Sequence, residues 1–410
     1  MSTTVKAYSY RGREAGGRLV KGKIDAASQT AVASRLKGMN ILPIEIAEAS
    51  AGTGLNREIS IPGMQKQVGL KDLAVMSRQM ATMTSSGLSL LKTLSILADQ
   101  TENKVLAATL ADVREQVEHG SSLSAAMSKH IGDFPPLMVN LVKAGETGGF
   151  LDEALQSVAE NYEKEAKLKA TIKSALTYPV AVLGMAFLAV IAMLIFIVPT
   201  FKTMFAGLGG ELPAPTQLLV VISENMIWAG PLLAVAIFAA VLWWRKNRYK
   251  ESVRSKADTL ILKLPVFGPL LKKVAIARFT RNFSTMMKAG VPILQSLSIV
   301  GETSGNWVIE DALRKVQESV RAGKTISGPL AQEPVFPSMV VQMIAVGEDS
   351  GALEAMLAKV SDFYDNEVQT TTEQLTSLIE PLMIGVIGVV IGGMIVALYL
   401  PIFNIFTLVN

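Results

Sequence analysis

The sequence predicts a mainly α, integral membrane protein with two tandem helical bundles of about six helices each, three transmembrane helices and a small N-terminal α+β module. Three observations carry that expectation. First, one acidic turn is written twice, as Gly145-Glu146-Thr147-Gly148-Gly149 and as Gly347-Glu348-Asp349-Ser350-Gly351, each following a Phe-Pro pair (Phe134-Pro135 and Phe336-Pro337). The offset of 202 persists through Tyr162 and Tyr364, Glu165 and Glu367, and Pro179 and Pro381, and 11 of the 32 positions from 134 to 165 are identical in the second copy. Upstream the offset becomes 203 (Gly87 and Gly290, Gly120 and Gly323), so one residue was gained or lost between Gly120 and Phe134. A repeat of this kind decides the architecture before any single element does. Second, Val180–Val198, Met226–Trp244 and Pro381–Leu400 carry no charge, and about 20 apolar residues span the hydrocarbon core of a bilayer. Third, half of the residues are hydrophobic, the mean hydropathy is +0.37 and only 18% are charged, against about 25% in soluble globular chains.

Residues 1–48 alternate in short strand-like runs around glycine, with one helical stretch from Ser28 to Lys37, and read as a small β-β-α-β module. Residues 49–69 are rich in Ala, Gly, Ser and Thr and read as a linker. The first bundle is expected over 70–175. Leu73, Met76, Met80 and Met83, then Leu90, Leu91, Leu94 and Leu97, then Leu106, Leu110, Val113 and Val117 recur at helical spacing. Methionines 76, 80 and 83 are read as core rather than as an adaptable binding surface. The first span follows at 176–200 and continues the last helix of the bundle, with Pro179 as its candidate kink at membrane entry. Read as one rod from Leu151 to Val198, it reaches on the order of 70 Å at about 1.5 Å per residue. A loop at 201–217, a second span at 218–244 and a second bundle at 245–378 come next. The third span, 379–403, is entered at Pro381, and the tail is 404–410. Gly388 and Gly392 lie four apart on that span, a spacing that permits close helix packing.

Lysine and arginine near the span ends set the orientation. Lys164, Lys167, Lys169 and Lys173 precede the first span; Arg245, Lys246, Arg248, Lys250, Arg254 and Lys256 follow the second; the loop between has only Lys202. Both bundles and the N-terminus are therefore expected in the cytoplasm and the C-terminus outside. The third span is oriented by alternation alone.

Catalytic constellations are scarce. No Gly-rich loop ends in Gly-Lys-Ser/Thr, so the chain is not expected to be an ATPase. There is no cysteine, and neither His119 nor His130 recurs in the second repeat. No metal, no cofactor and no nucleic-acid partner is expected, and the spans lack the ionisable residues that transporters use. The candidate site residues are the twin turns: Gly145, Glu146 and Gly149, with Gly347, Glu348 and Gly351. Two roles fit them, helix-end structure or contact with a partner or cation. As helix-end residues alone, Glu146→Gln and Glu348→Gln are expected to cost under about 1 kcal/mol.

At these residues the chain resembles the GspF/PilC family of inner-membrane platform proteins. The likeness also takes in the Leu212-Pro213 to Thr216-Gln217 segment, the Glu380-Pro381 entry and the Pro401-x-Phe403 exit. What the resemblance implies is a non-enzymatic assembly platform of a type IV pilus or type II secretion system in the inner membrane. Its implied partners are a cytoplasmic hexameric ATPase, pilins or pseudopilins, other inner-membrane assembly proteins and further copies of itself. The alternative reading is a channel or transporter subunit.

Overall fold

A computed structural model describes residues 6–14, 19–26, 29–38, 41–48, 67–207 and 212–408, in two compact units, 1–65 and 66–410. In the first unit, strands β1 (Lys6–Glu14), β2 (Leu19–Ala26) and β3 (Ile41–Glu48) form an antiparallel sheet of order β2-β1-β3, with a register shift at Arg11/Gly12. Helix α1 (Gln29–Gly38) lies between β2 and β3 in sequence and buries Val32 and Leu36, one turn apart.

The regular elements among the described residues of the second unit are all helices. Its first repeat comprises α2 (Leu70–Ser85), α3 (Leu90–Gln100), α4 (Lys104–Glu118), α5 (Leu123–Ser128), α6 (Pro136–Gly148) and α7 (Leu151–Ala192). A π-turn, Met193–Ile197, joins α7 to α8 (Val198–Ala206). Helix α9 (Ala214–Asn247) follows. Helix α10 (Glu251–Leu262) has no counterpart among the described residues of the first repeat. The second repeat is α11 (Phe267–Lys288), α12 (Ile293–Thr303), α13 (Trp307–Arg321), α14 (Ser327–Leu330), α15 (Ser338–Ser350) and α16 (Leu353–Leu408).

Matching punctuation makes the two copies fold alike. Gly87 and Gly290, Gly120 and Gly323, and Gly149 and Gly351 all take positive φ, from 69° to 92°. These are left-handed positions where a Cβ is strained. Asn103 caps α4 through Val105 N–H at 3.0 Å, and its repeat equivalent Asn306 caps α13 through Val308 N–H at 2.9 Å. Pro135 and Pro337 each stand at a helix start, while the adjoining Phe134 and Phe336 are buried.

The periodicity identifies the core well: Leu73, Met76, Met80, Leu94, Leu97, Leu106, Leu110 and Val113 are all buried, although Leu91 is exposed. One feature exceeds the expectation. The cores of the two six-helix repeats are continuous, running from Leu73 through Tyr162 to Phe279, Phe283 and Tyr364 as one cluster.

Among the described residues, three helices are long and apolar enough to cross a membrane: Leu151–Ala206, Trp228–Asn247 and Leu353–Phe403. The helices run through Pro179 and Pro381. Besides the N–H missing at Pro179, hydrogen bonding in the first rod is irregular at the π-turn, where Val198 N–H bonds to Met193 O. Pro199, just beyond, has no N–H to continue an α-helical ladder. At their ends far from the bundles, the long helices meet around Leu194, Val198, Val220, Met394 and Leu398. Ser223 Oγ donates to Leu194 O at 2.5 Å, and Thr216 Oγ1 donates to Ala397 O. A Cβ built on Gly388 or Gly392 would meet nothing within 4 Å, so neither glycine packs against another helix of this chain.

Candidate functional site

Each residue of the twin turns has its own task. Gly149 and Gly351 close α6 and α15 in the left-handed conformation, with φ of 75° and 69°. Gly145 and Gly347 instead let two helices cross closely. A Cβ on Gly145 would lie 2.5 Å from Ala154 Cβ and 3.0 Å from Leu151 Cα, and one on Gly347 would lie 2.8 Å from Leu353 Cα. Glu146 and Glu348 reach back 22 residues. The Glu146 carboxylate accepts from Leu123 N–H (2.5 Å), Ser124 N–H (3.0 Å) and the Ser124 hydroxyl. That of Glu348 accepts from Ile326 N–H (2.5 Å) and Ser327 N–H (2.9 Å). Each glutamate thus takes up orphan donors at the start of the short helix α5 or α14, pinning it to α6 or α15.

This arrangement revises the expected size of the Glu→Gln effect. An amide keeps one acceptor oxygen and turns an NH2 group toward a backbone N–H. Charge-assisted bonds are the stronger class, so Glu146→Gln and Glu348→Gln are each expected to destabilise by about 1–2 kcal/mol. Thermal unfolding of the solubilised variants measures this, and a loss confined to binding, with unchanged unfolding, would contradict it.

A second constellation lies where the repeats meet. Arg78 and Arg281 are equivalent positions, as are Glu163 and Asp365. In the first repeat Arg78 forms a bidentate pair with Glu163, both bonds 2.6 Å, near the surface. The hydrogen bond from Arg78 holds the Glu163 carboxyl below the usual carboxylate range. In the second repeat the same pair, Arg281 with Asp365, is covered by α7, which adds Glu165. Arg281 Nη1 lies 3.2 Å from Glu165 Oε2, and Arg278 pairs with Glu165 Oε1. Only 5% of the Arg281 side chain is exposed. Burial pushes the Asp365 carboxyl above its ordinary range even though Arg281 opposes the shift. Beside it, Asn161 Nδ2 donates to Asn282 Oδ1 at 3.0 Å, and Lys164 pairs with Asp362 at 2.8 Å. A polar cavity of about 180 Å³ opens here, with Asn161, Lys164, Arg281, Lys288, Glu354 and Asp362 on its walls. The 202/203 offsets match Arg78 with Arg281 and Glu163 with Asp365. They do not reveal that α7 crosses from one copy to the other.

No group of three or more His, Asp or Glu among the described residues forms a metal site. His130 instead pairs with Asp112, Nε2 to Oδ2 at 2.6 Å. That contact, with one from Gln116, keeps the Asp112 carboxyl below its ordinary range.

The model of a family described as type II secretion system protein F matches the chain twice, over residues 76–199 and 279–401. That of its N-terminal domain matches residues 3–47. The type IV pilus assembly protein PilC of Myxococcus xanthus is 41% identical over 407 residues, covering 98% of this chain and 97% of its own. PilC of Thermus thermophilus is 42% identical over 402 residues, covering 97% and 98%. The type II secretion system protein F of Xanthomonas campestris is 31% identical over 402 residues, again covering 97% and 98%.

Proposed function

The chain belongs to the type II secretion system protein F family, and on that premise we propose that it is the inner-membrane platform of a type IV pilus machine. The observation that carries the reading is full-length similarity at 41–42% identity to two pilus assembly proteins, against 31% to a secretion-system relative. The platform couples a cytoplasmic hexameric ATPase to the insertion of pilin subunits into the fibre. It has no catalytic role of its own and receives work through its bundles.

The fold suits such a part. Two bundles with one continuous core make a single body, and α7 and α16 carry that body into the membrane as long rods. The division proposed is bundles over 70–175 and 245–378, spans at 176–200, 218–244 and 379–403, a loop at 201–217 outside and a tail at 404–410 outside. Further copies of the chain are proposed as partners, packing on the face of the third span that holds Gly388 and Gly392. In the twin turns, the glycines and glutamates at 145, 146, 149, 347, 348 and 351 are proposed to shape the bundle ends rather than to bind a cation.

Two experiments test the reading. The purified protein should hydrolyse no nucleotide yet co-purify with a cytoplasmic ATPase; turnover that survives rigorous removal of that ATPase would refute it. Reporters active on one side of the membrane, fused at Ala51, Gly209, Gly323 and Asn410, should read inside, outside, inside and outside. An outside signal at Gly323 or an inside signal at Gly209 breaks the topology.

A further inference from the structure

Helix α10 meets the second bundle through charged residues as well as through Leu262, which packs against the core. Glu251, Arg254 and Asp258 lie on one face and turn toward α13. Arg254 pairs with Glu310 at 2.8 Å, Asp258 accepts Trp307 N–H at 2.7 Å, and Glu251 lies 3.6 Å from Arg314. At 100° per residue, Lys256 and Leu260 fall on the opposite face, and Leu260 is 66% exposed. The apolar edge continues through Leu264, Val266, Phe267 and Leu271, all exposed. Gly268 keeps the α10–α11 corner tight: a Cβ there would lie 2.2 Å from Leu262 O, and its N–H bonds to Leu264 O at 2.9 Å.

The height of this corner on the molecule identifies what it meets. Helix α11 runs antiparallel to α16. Ser284 bonds to Glu354 O, Lys273 to Glu367 and Thr371, and Leu270 packs with Leu375 and Ile379. Leu270 and Val274 also share a cluster with Leu168 and Ile172 of α7. The start of α11 therefore lies beside the last charged residues of both rods, Lys173 and Glu380, where their uncharged runs begin. On the other side, three residues separate α10 from the end of α9, a candidate span. Basic residues cluster around the corner: Arg245, Lys246, Arg248 and Lys250 before it, Lys256 and Lys263 within it.

We propose that residues 260–271 form a membrane-surface anchor, seating Leu260, Leu264, Val266, Phe267 and Leu271 at headgroup depth while the flanking lysines and arginines engage anionic lipid. This rests on the spanning assignment above. Apolar side chains at that depth together with basic residues are the combination by which interfacial elements bind anionic bilayers. The anchor fixes the height and tilt of the second bundle at its junction with the membrane.

The chain has no cysteine, so single cysteines report cleanly in the full-length protein. An environment-sensitive fluorophore is placed at Phe267→Cys, at Val346→Cys as an exposed position on α15, and at Leu188→Cys within the first span. Each variant is reconstituted into vesicles of phosphatidylglycerol and phosphatidylethanolamine, or of phosphatidylcholine alone. Lipid brominated high on the acyl chain should quench the Phe267→Cys probe severalfold more than the Val346→Cys probe. That quenching should weaken in phosphatidylcholine and in the Lys256→Gln/Lys263→Gln background. Quenching of the Phe267→Cys probe by aqueous iodide as strong as at Val346→Cys overturns the proposal. So does shielding from both quenchers, which would mean that protein covers the corner, and so does indifference to lipid charge. Lack of lipid quenching at Leu188→Cys would instead refute the spanning assignment.

Discussion

Replacing Arg281 by methionine is expected to destabilise the solubilised protein by about 3 kcal/mol, because the change leaves the Asp365 carboxylate without its arginine and Glu165 with Arg278 alone. Arg281 is the only residue that pairs with both Glu165 of the first repeat and Asp365 of the second among the described ion pairs. The loss should depend on pH with a definite sign. Burial already holds the Asp365 carboxyl above its ordinary range, and removing the guanidinium raises it further. A carboxyl whose folded pKa exceeds its unfolded pKa binds its proton more tightly in the folded state, so stability rises as pH falls through the folded value. The deficit of Arg281→Met should thus be full near neutrality and smaller in mild acid, as read by thermal unfolding across that range. Adding Asp365→Asn and Glu165→Gln should recover part of the loss at neutral pH. A deficit independent of pH and unrelieved by the neutral partners would show that lost packing, not stranded charge, is responsible.

Gly347→Val and Gly145→Val come next, each expected to cost about 3 kcal/mol, the upper part of the overpacking range. The clashes involve backbone: Leu353 Cα at 2.8 Å for Gly347 and Leu151 Cα at 3.0 Å for Gly145. A side chain could rotate away, but α6 and α7, or α15 and α16, would have to separate. Gly149→Ala and Gly351→Ala test the other function of these turns. They have room for a Cβ but hold φ of 75° and 69°, so the expected loss is about 1–2 kcal/mol from backbone strain. Gly388→Ala, with nothing within 4 Å, should leave the unfolding of dispersed single chains unchanged. Equal losses across this series would refute the division of roles.

Much of this was legible in one sequence because duplication and periodicity are local signals. The offset exposes the twin turns, and the 3.6-residue period exposes Leu73, Met76 and Met80 as core. The period shows which face of a helix is apolar, not which helix covers it. The union of the two cores and the contact between Asn161 and Asn282 therefore escaped the reading. Glu146 escaped it in a different way. A residue seen beside a helix end is read as serving that end, whereas its carboxylate caps a helix that begins 23 residues earlier. The pattern does not show that Arg254 and Asp258 of α10 face α13 while Leu260 is exposed.

The two long helices are joined at two levels, by Lys164 with Asp362 and by Arg281 of α11 between Glu165 and Asp365 near the bundles, and by the cluster around Leu194 and Met394 farther along. Two struts pinned together twice make a closed frame, and such a frame resists scissoring while remaining free to lean. At about 1.5 Å per residue, a 56-residue strut is about 84 Å long. A lean of about 5° at the bundle end would therefore carry the far end sideways by about 7 Å over that length. Rotation applied to the bundles would reach the opposite face of the bilayer as a stroke, with both struts moving in step.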